Sequence, residues 1–244
     1  MDAVGVTAEG LGLQGPRGWA FRDVSVEAAP GTLIAVEGPS GSGRTCLLLA
    51  LTGRMRATEG TASIGPARLP KQPAAVRRVS AVANVAGVTD LDPALTVGEH
   101  LRERALLQRR FGDSLRGLLR PRAERAAEAK LRIDSALAAA GLDLASLPKG
   151  SRTAVRDLER LEALRLSIAL ALIGRPRLLG VDDADLKLSD AERTQAWALL
   201  RSVAEGGTTV VAVCSEAPDD TVVVATSPTA GKEKADAIAE TGRP

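Results

Sequence analysis

The run Gly38-Pro39-Ser40-Gly41-Ser42-Gly43-Arg44-Thr45 places three glycines, a guanidinium and a terminal hydroxyl in the spacing Gly, four residues, Gly, basic, Ser/Thr. Such glycines let successive backbone N–H groups curl around a polyphosphate, and a helix that opens directly after the loop adds free amides and a favourable dipole. The strand-like Thr32–Glu37 enters the loop, and Cys46 and the apolar run Leu47–Leu51 leave it. That strand-to-helix setting separates a phosphate-binding loop from an ordinary Gly/Ser turn. The basic residue is arginine, which is longer and planar where lysine would offer a compact ammonium, so the exchange is not conservative at a tight phosphate site. A second candidate for chemistry, Asp182-Asp183, closes the short apolar run Leu178–Val181. Its bland alternative is an acidic strand end with a solvated face.

These residues need a scaffold, and 244 residues suffice for one domain carrying an insertion. The net charge of +2 excludes the global field that draws proteins onto nucleic acid. Only four aromatic residues (Trp19, Phe21, Phe111, Trp197) are present, too few for a base-stacking platform, so no nucleic-acid partner is expected. The longest apolar stretch, Leu166–Ile173, is far short of a membrane span, and Met1–Gly10 has no basic leader, which points to a cytoplasmic chain. Cys46 and Cys214 form no disulfide or metal set and read as small core residues.

Strands are predicted at Val4–Leu13, Val24–Ala28, Thr32–Glu37, Thr61–Ile64 and Arg78–Ala83, making one layer of sheet, with the loop's helix stopping near Gly53. From Thr96 the pattern turns helical. Thr96 and Glu99 fit a capping box for a helix to about Arg110, a second helix spans Pro121–Ala140 with Gly141 closing it, and a third runs over Arg156–Ile173. The strand-helix-strand pattern resumes with Leu178–Val181, Ala191–Ala204 and the fully apolar Thr208–Val213, with an edge strand at Val222–Ala225. Ser227–Pro244 has few large apolar groups and reads as a flexible tail.

With those elements in order, the chain resembles the ATP-binding cassette domain of ABC transporters over about residues 1 to 215. The likeness rests on Val24-Ser25-Val26 and Gly31 ahead of the loop, Leu95-Thr96-Val97-Gly98-Glu99, Leu170-Ala171-Leu172-Ile173-Gly174-Arg175-Pro176, and Leu178-Leu179-Gly180-Val181-Asp182-Asp183. It implies an α/β fold on a P-loop NTPase core, a mixed or parallel sheet with flanking helices, plus an antiparallel β subdomain and an inserted helical subdomain at about 96–160. The domain would span 1–226. The implied cofactors are ATP and Mg²⁺, with Gly38, Pro39, Ser40, Gly41, Ser42, Gly43, Arg44, Thr45, Cys46 and Asn84 at the nucleotide. Thr45 and Asp182 would hold Mg²⁺, and Asp183 would stand where a glutamate polarises the attacking water. The implied partners are a separate transmembrane permease, docked over Asn84–Glu99, and a second cassette, homo- or heterodimeric. The chain would then lie peripherally on the inner face of the cell membrane.

The departures from the family pattern point to weak hydrolysis. Asp183 is one methylene short, the signature loop maps onto Leu158-Glu159-Arg160-Leu161-Glu162 without serine or glycine, and the γ-phosphate histidine maps to Ser215. Asn84 replaces a glutamine, and Ser189 replaces a later aspartate. Asp157–Leu172 is expected to be one continuous amphipathic helix with Arg160 on its wet side, and the lone His100 a surface residue. Trp19 is weighed between adenine stacking and packing of a strand edge. Two further readings are a pseudo-cassette serving as regulatory or scaffold subunit of a membrane protein, and a P-loop transferase using Arg109, Arg110 and Arg120–Arg125.

Overall fold

A computed structural model of the chain describes residues 3–16, 18–112 and 121–226, without the side chains of 109–112 and 122. The tail at 227–244, the Phe111 side chain, and the Arg109, Arg110, Arg120 and Arg122 side chains invoked for a transferase lie outside the described residues.

The strands divide between two sheets. In the antiparallel sheet, β1 (Val6–Gly15) pairs with β2 (Gly18–Ala28) and β4 (Glu59–Ile64), and β4 with β5 (Ala67–Leu69). In the parallel sheet the order is β6-β7-β8-β3-β9, from β3 (Leu33–Glu37), β6 (Ser80–Ala83), β7 (Leu178–Val181), β8 (Thr209–Val213) and β9 (Val222–Ala225). The expected single layer is therefore corrected: β3 and β6 leave the first sheet for the second. The segment expected as strand Arg78–Ala83 begins as helix α2 (Pro73–Val79), and only Ser80–Ala83 pairs with β7. Pro73 sits in the first turn of α2 with Arg77 and Arg78 in its last, a dipole-compatible order that masquerades as a Pro-rich linker.

Alternation along the parallel strands defines two cores. Leu33 and Ala35 of β3, with Val210 and Ala212 of β8, face one cluster, while Ile34, Val36, Val211 and Val213 face the other. The first cluster is filled by α3 (Val97–Gly112), α4 (Arg122–Ala139), α5 (Arg160–Leu172) and α6 (Asp190–Glu205). The second holds α1 (Arg44–Leu51) against the antiparallel sheet, with Leu47, Leu48 and Leu51 fully buried. Each such leucine contributes about 1.5–3 kcal/mol, which seats the helix behind the phosphate loop.

The helical stretch leaves and rejoins the core at one place. Thr96 bridges Ala154, the Val97 amide donates to the Thr153 carbonyl at 3.0 Å, and the Val155 amide to the Leu95 carbonyl at 2.9 Å. The Thr96 capping box forms, with the Thr96 amide and hydroxyl each 2.7 Å from Glu99 Oε2. The expected continuous helix over Asp157–Leu172 does not form. A 3-10 turn at Val155–Asp157 is followed by extended Leu158 and Glu159, and α5 starts at Arg160, where the Glu162 carboxylate accepts the Glu159 amide at 2.9 Å. Asp157, Glu159 and Arg160 are exposed as expected, but Glu159 and Glu162 serve as the cap of a largely buried helix instead of continuing one. His100 is also corrected, being only 9% exposed, with Nε2 3.3 Å from the Asp92 carbonyl.

Candidate functional site

The carboxyl ends of β3, β6, β7 and β8 converge, and the phosphate loop follows the first of them. Gly43, at φ 84°, occupies the left-handed region ahead of α1, and a Cβ there would stand 2.0 Å from the Ala20 carbonyl oxygen of β2. A Cβ on Gly38 would strike Thr226 O at 2.4 Å and Ser42 Oγ at 2.7 Å. The loop is thus pressed between β2 and the end of β9, and Ser42, 1% exposed, bonds Thr226 Oγ1 at 2.6 Å. No side chain caps α1, so its first-turn amides remain available to an anion in the loop.

Thr45 and Asp182 meet directly. The hydroxyl donates to Oδ2 at 2.9 Å and lies 3.1 Å from Oδ1. Asp182 is 3% exposed, and burial raises its pKa above the usual carboxylate value, against the lowering effect of the Thr45 hydroxyl. A buried carboxylate whose side-chain partner is one neutral hydroxyl is a place for a cation. Among the described residues no set of three or more His, Cys, Asp or Glu could hold a metal alone. That matches Mg²⁺, which takes one or two protein ligands and completes its shell with water and phosphate oxygens.

Asn84, at φ 57°, is fixed beside this pair: its Nδ2 donates to the Asp182 carbonyl at 2.8 Å, and its amide to Ser167 Oγ at 2.7 Å. Asp183 adopts φ 46° immediately after β7. Cys46, half-buried, packs against the second core, and burial raises its thiol pKa, so it offers no thiolate.

Arg44 is engaged elsewhere. Its Nη1 donates to the Cys214 carbonyl at the end of β8. Burial, then the carboxylates of Asp185 and Glu37, push the Cys214 thiol up to about 12. The next residues are pinned as well: the Ser215 amide donates to Asp185 Oδ2 at 2.8 Å, and the Ala217 amide to Glu37 Oε2 at 3.1 Å. Asp185 (6% exposed), Glu37, Ser167 and Thr226 were missed from sequence. For Asp185 a signal existed in Asp182-Asp183-Ala184-Asp185, read only for its first two members.

Trp19 is packed. Its ring lies under the Arg22 guanidinium at 4.7 Å, and a Cβ on Gly12 would be 3.1 Å from the ring. Arg160 is drawn to the Leu186 carbonyl at 3.4 Å, and Glu159 is exposed at the N-terminus of α5. Ser189 caps α6 in a box with Glu192.

Residues 21–185, more than half of the chain, match the family model described as ABC transporter. The chain is 30% identical over 190 residues to the Nod factor export ATP-binding protein I of Cupriavidus metallidurans, covering 78% of this chain and 55% of that protein. It is 31% identical over 191 residues to the Fe(3+) ions import ATP-binding protein FbpC of Streptomyces avermitilis, covering 78% of this chain and 49% of that protein. The chain thus spans about half the length of these curated relatives. Among solved structures, a dimeric bacterial ABC transporter cassette superposes with TM-score 0.69 at 20% identity, over 91% of this chain and 94% of that one. A cassette from Clostridium perfringens, part of an ABC transporter complex, superposes with TM-score 0.68 at 16% identity, over 88% and 80%. With the family model matched across the phosphate loop and the Asp182 strand, and the α/β cassette fold shared over 91% of the chain, the chain belongs to the ABC transporter family as an ATP-binding cassette.

Proposed function

We propose that the chain is the ATP-binding subunit of an ABC-type transporter, binding Mg·ATP at the phosphate loop and working through a separate membrane permease. The observation that carries this is the Thr45–Asp182 contact at an uncapped helix N-terminus. Loop amides from Gly38 to Cys46, other than at Pro39, which has no N–H, would hold the phosphates, and Thr45 and Asp182 would ligate Mg²⁺, with Asn84 bracing the Asp182 backbone. The metal would neutralise phosphate charge. Asp183 would orient water from a shorter reach. The relatives' names, one for export and one for import, support a transport role without choosing a direction. A dimeric relative supports pairing of two cassettes. Among the described residues no helix is long and apolar enough to cross a membrane, in keeping with a cytoplasmic subunit held at the inner face of the membrane by its permease. Residues 96–160 form the helical arm of a domain spanning 1–226 in this reading.

Hydrolysis is weak in this proposal. Phosphoryl transfer depends on positioning and charge stabilisation, and Arg44 is spent on the Cys214 carbonyl. Glu159 sets a carboxylate at the helix end that would otherwise attract phosphate. The same two observations favour a second reading, a pseudo-cassette acting as regulatory or scaffold subunit. Calorimetric titration of Mg·ATP into wild type and Thr45→Ala tests the first: saturable binding lost in the variant is expected. Absence of binding up to millimolar ATP would leave only the scaffold reading.

A further inference from the structure

The phosphate loop offers its donors unevenly along a polyphosphate. At the start of α1 they are free, since no side chain caps the helix, and Ser40 and Gly41 of the loop are exposed. The far end of a polyphosphate held in such a loop lies beside the loop's basic residue and its metal-binding hydroxyl. Here those two groups face the ends of β7 and β8: Thr45 meets Asp182 at 2.9 Å, and Arg44 Nη1 donates to the Cys214 carbonyl. The neighbouring donors are engaged by the protein itself. The Ser215 amide donates to Asp185 Oδ2 at 2.8 Å, and the Ala217 amide to Glu37 Oε2 at 3.1 Å.

The charges divide in the same way. Strands β7, β8 and β3 are adjacent and parallel, so their carboxyl ends stand side by side. Glu37 closes β3, Asp182 and Asp183 follow β7, and Asp185 reaches the turn after β8. Asp183 acts on Asp182, Asp185 and Glu37 act on the Cys214 thiol, and Arg44 is the cation that acts on both. Four carboxylates therefore stand against this one guanidinium, and the turn at 215–221 adds Glu216 and no basic residue. Asp182 and Asp185 are buried, so water screens them little. A bound Mg²⁺ would offset part of this charge, and the remainder repels each further phosphate. Anchoring the turn does not itself require charge, because asparagine and glutamine would accept the same amide hydrogens.

We infer that the loop selects nucleoside diphosphates over triphosphates, and that Glu37 and Asp185 set this preference by repelling a third phosphate while occupying the Ala217 and Ser215 amides that could receive it. The inference deepens the nucleotide reading proposed above and rests on it. Two phosphates are held by the loop amides and Mg²⁺; a triphosphate binds at the same place, less tightly. Occupancy by each nucleotide then follows the ratio of the two in solution.

Calorimetric titrations of the full chain with Mg·ADP, Mg·ATP and the uncleavable β,γ-imido analogue of ATP test this. Wild type should bind the diphosphate about tenfold or more tightly than either triphosphate. Glu37→Gln/Asp185→Asn should bring the affinities within about threefold of one another, by strengthening the triphosphates and moving Mg·ADP by less than about twofold. Thermal unfolding checks that the double variant is folded. Should it not be, Glu37→Gln alone, at a half-buried side chain, should narrow the gap in the same direction. Triphosphates bound as tightly as the diphosphate by wild type, a preference that survives the substitutions, or a variant that tightens all three nucleotides equally would overturn the inference and leave the nucleotide reading standing. Binding of none of them would remove the nucleotide reading itself, and the inference with it.

Discussion

Replacing Arg44 by alanine separates two roles that a loop arginine can have. In the structure the guanidinium donates to the Cys214 carbonyl, tying the phosphate loop to the end of β8. A hydrogen bond from a charged donor is worth about 1.5–3 kcal/mol, and the carbonyl of the buried Cys214 would be left without this donor. For a chain of this size each kcal/mol moves Tm by roughly 2–4 °C, so Arg44→Ala should lower the melting temperature by about 3–12 °C. Its effect on nucleotide affinity should be small. A side chain bonded elsewhere contributes no direct contact to phosphate, so the Mg·ATP dissociation constant should change by less than about threefold, or roughly 0.7 kcal/mol. Calorimetric titration and thermal unfolding on the same preparation read both numbers. An unchanged melting temperature with affinity reduced tenfold or more would refute the reasoning, because it would mean that Arg44 leaves Cys214 and acts on phosphate.

Asp182→Asn should stabilise the empty chain at neutral pH while abolishing Mg²⁺-dependent nucleotide binding, as read by denaturant titration and calorimetry. The sign follows from the raised native pKa: the folded state holds the proton more tightly than the unfolded one, so stability is full below the ordinary value of 3.8 and is lost as pH rises through the raised value. The asparagine variant should lack that slope. Trp19→Ala removes the ring between Arg22 and Gly12 and should cost about 1 kcal/mol of unfolding free energy without altering Mg·ATP affinity; a large affinity loss would restore the adenine-stacking role. Thr45→Ala should lose Mg·ATP binding with little change in fold, since α1 is held by Leu47, Leu48 and Leu51.

The loop, its strand and its helix were legible because all three signals are local: glycine spacing, an apolar run before and a leucine run after. The Thr96–Glu99 box and the strand at Leu178–Val181 were readable for the same reason. The α5 start was not. Periodicity over Asp157–Leu172 cannot distinguish a wet face from a cap, and the buried Leu161, Leu164, Leu166 and Ile168 wrap the helix almost fully, leaving no amphipathic signal. His100 failed likewise, because its ring meets the Asp92 carbonyl in the loop ahead of α3, a contact with no trace in helix spacing. The split into two sheets depends on long-range pairing: β3 finds β8 and β9, whose residues lie over a hundred and seventy positions away.

Arg44 and two carboxylates share a common destination. Arg44 reaches the Cys214 carbonyl, Asp185 takes the Ser215 amide, and Glu37 takes the Ala217 amide, so the turn after β8 is bound to the phosphate loop, the strand end after β7 and the strand end of β3 at once. Thr226, at the end of β9, ties the phosphate loop to the same β3 end by bonding Ser42 and the Glu37 carbonyl. Where the family pattern has a histidine reaching toward the γ-phosphate, this chain has a serine in a turn anchored from three sides. Each bond lost in isolation would cost about 0.5–1.5 kcal/mol, and more where a charge is involved. Together they favour a turn that stays in place through nucleotide exchange. A loop that binds without moving its neighbours suits a subunit that senses or holds nucleotide better than one that turns it over rapidly. In the proposed function, that is the physical ground for expecting nucleotide binding with slow hydrolysis.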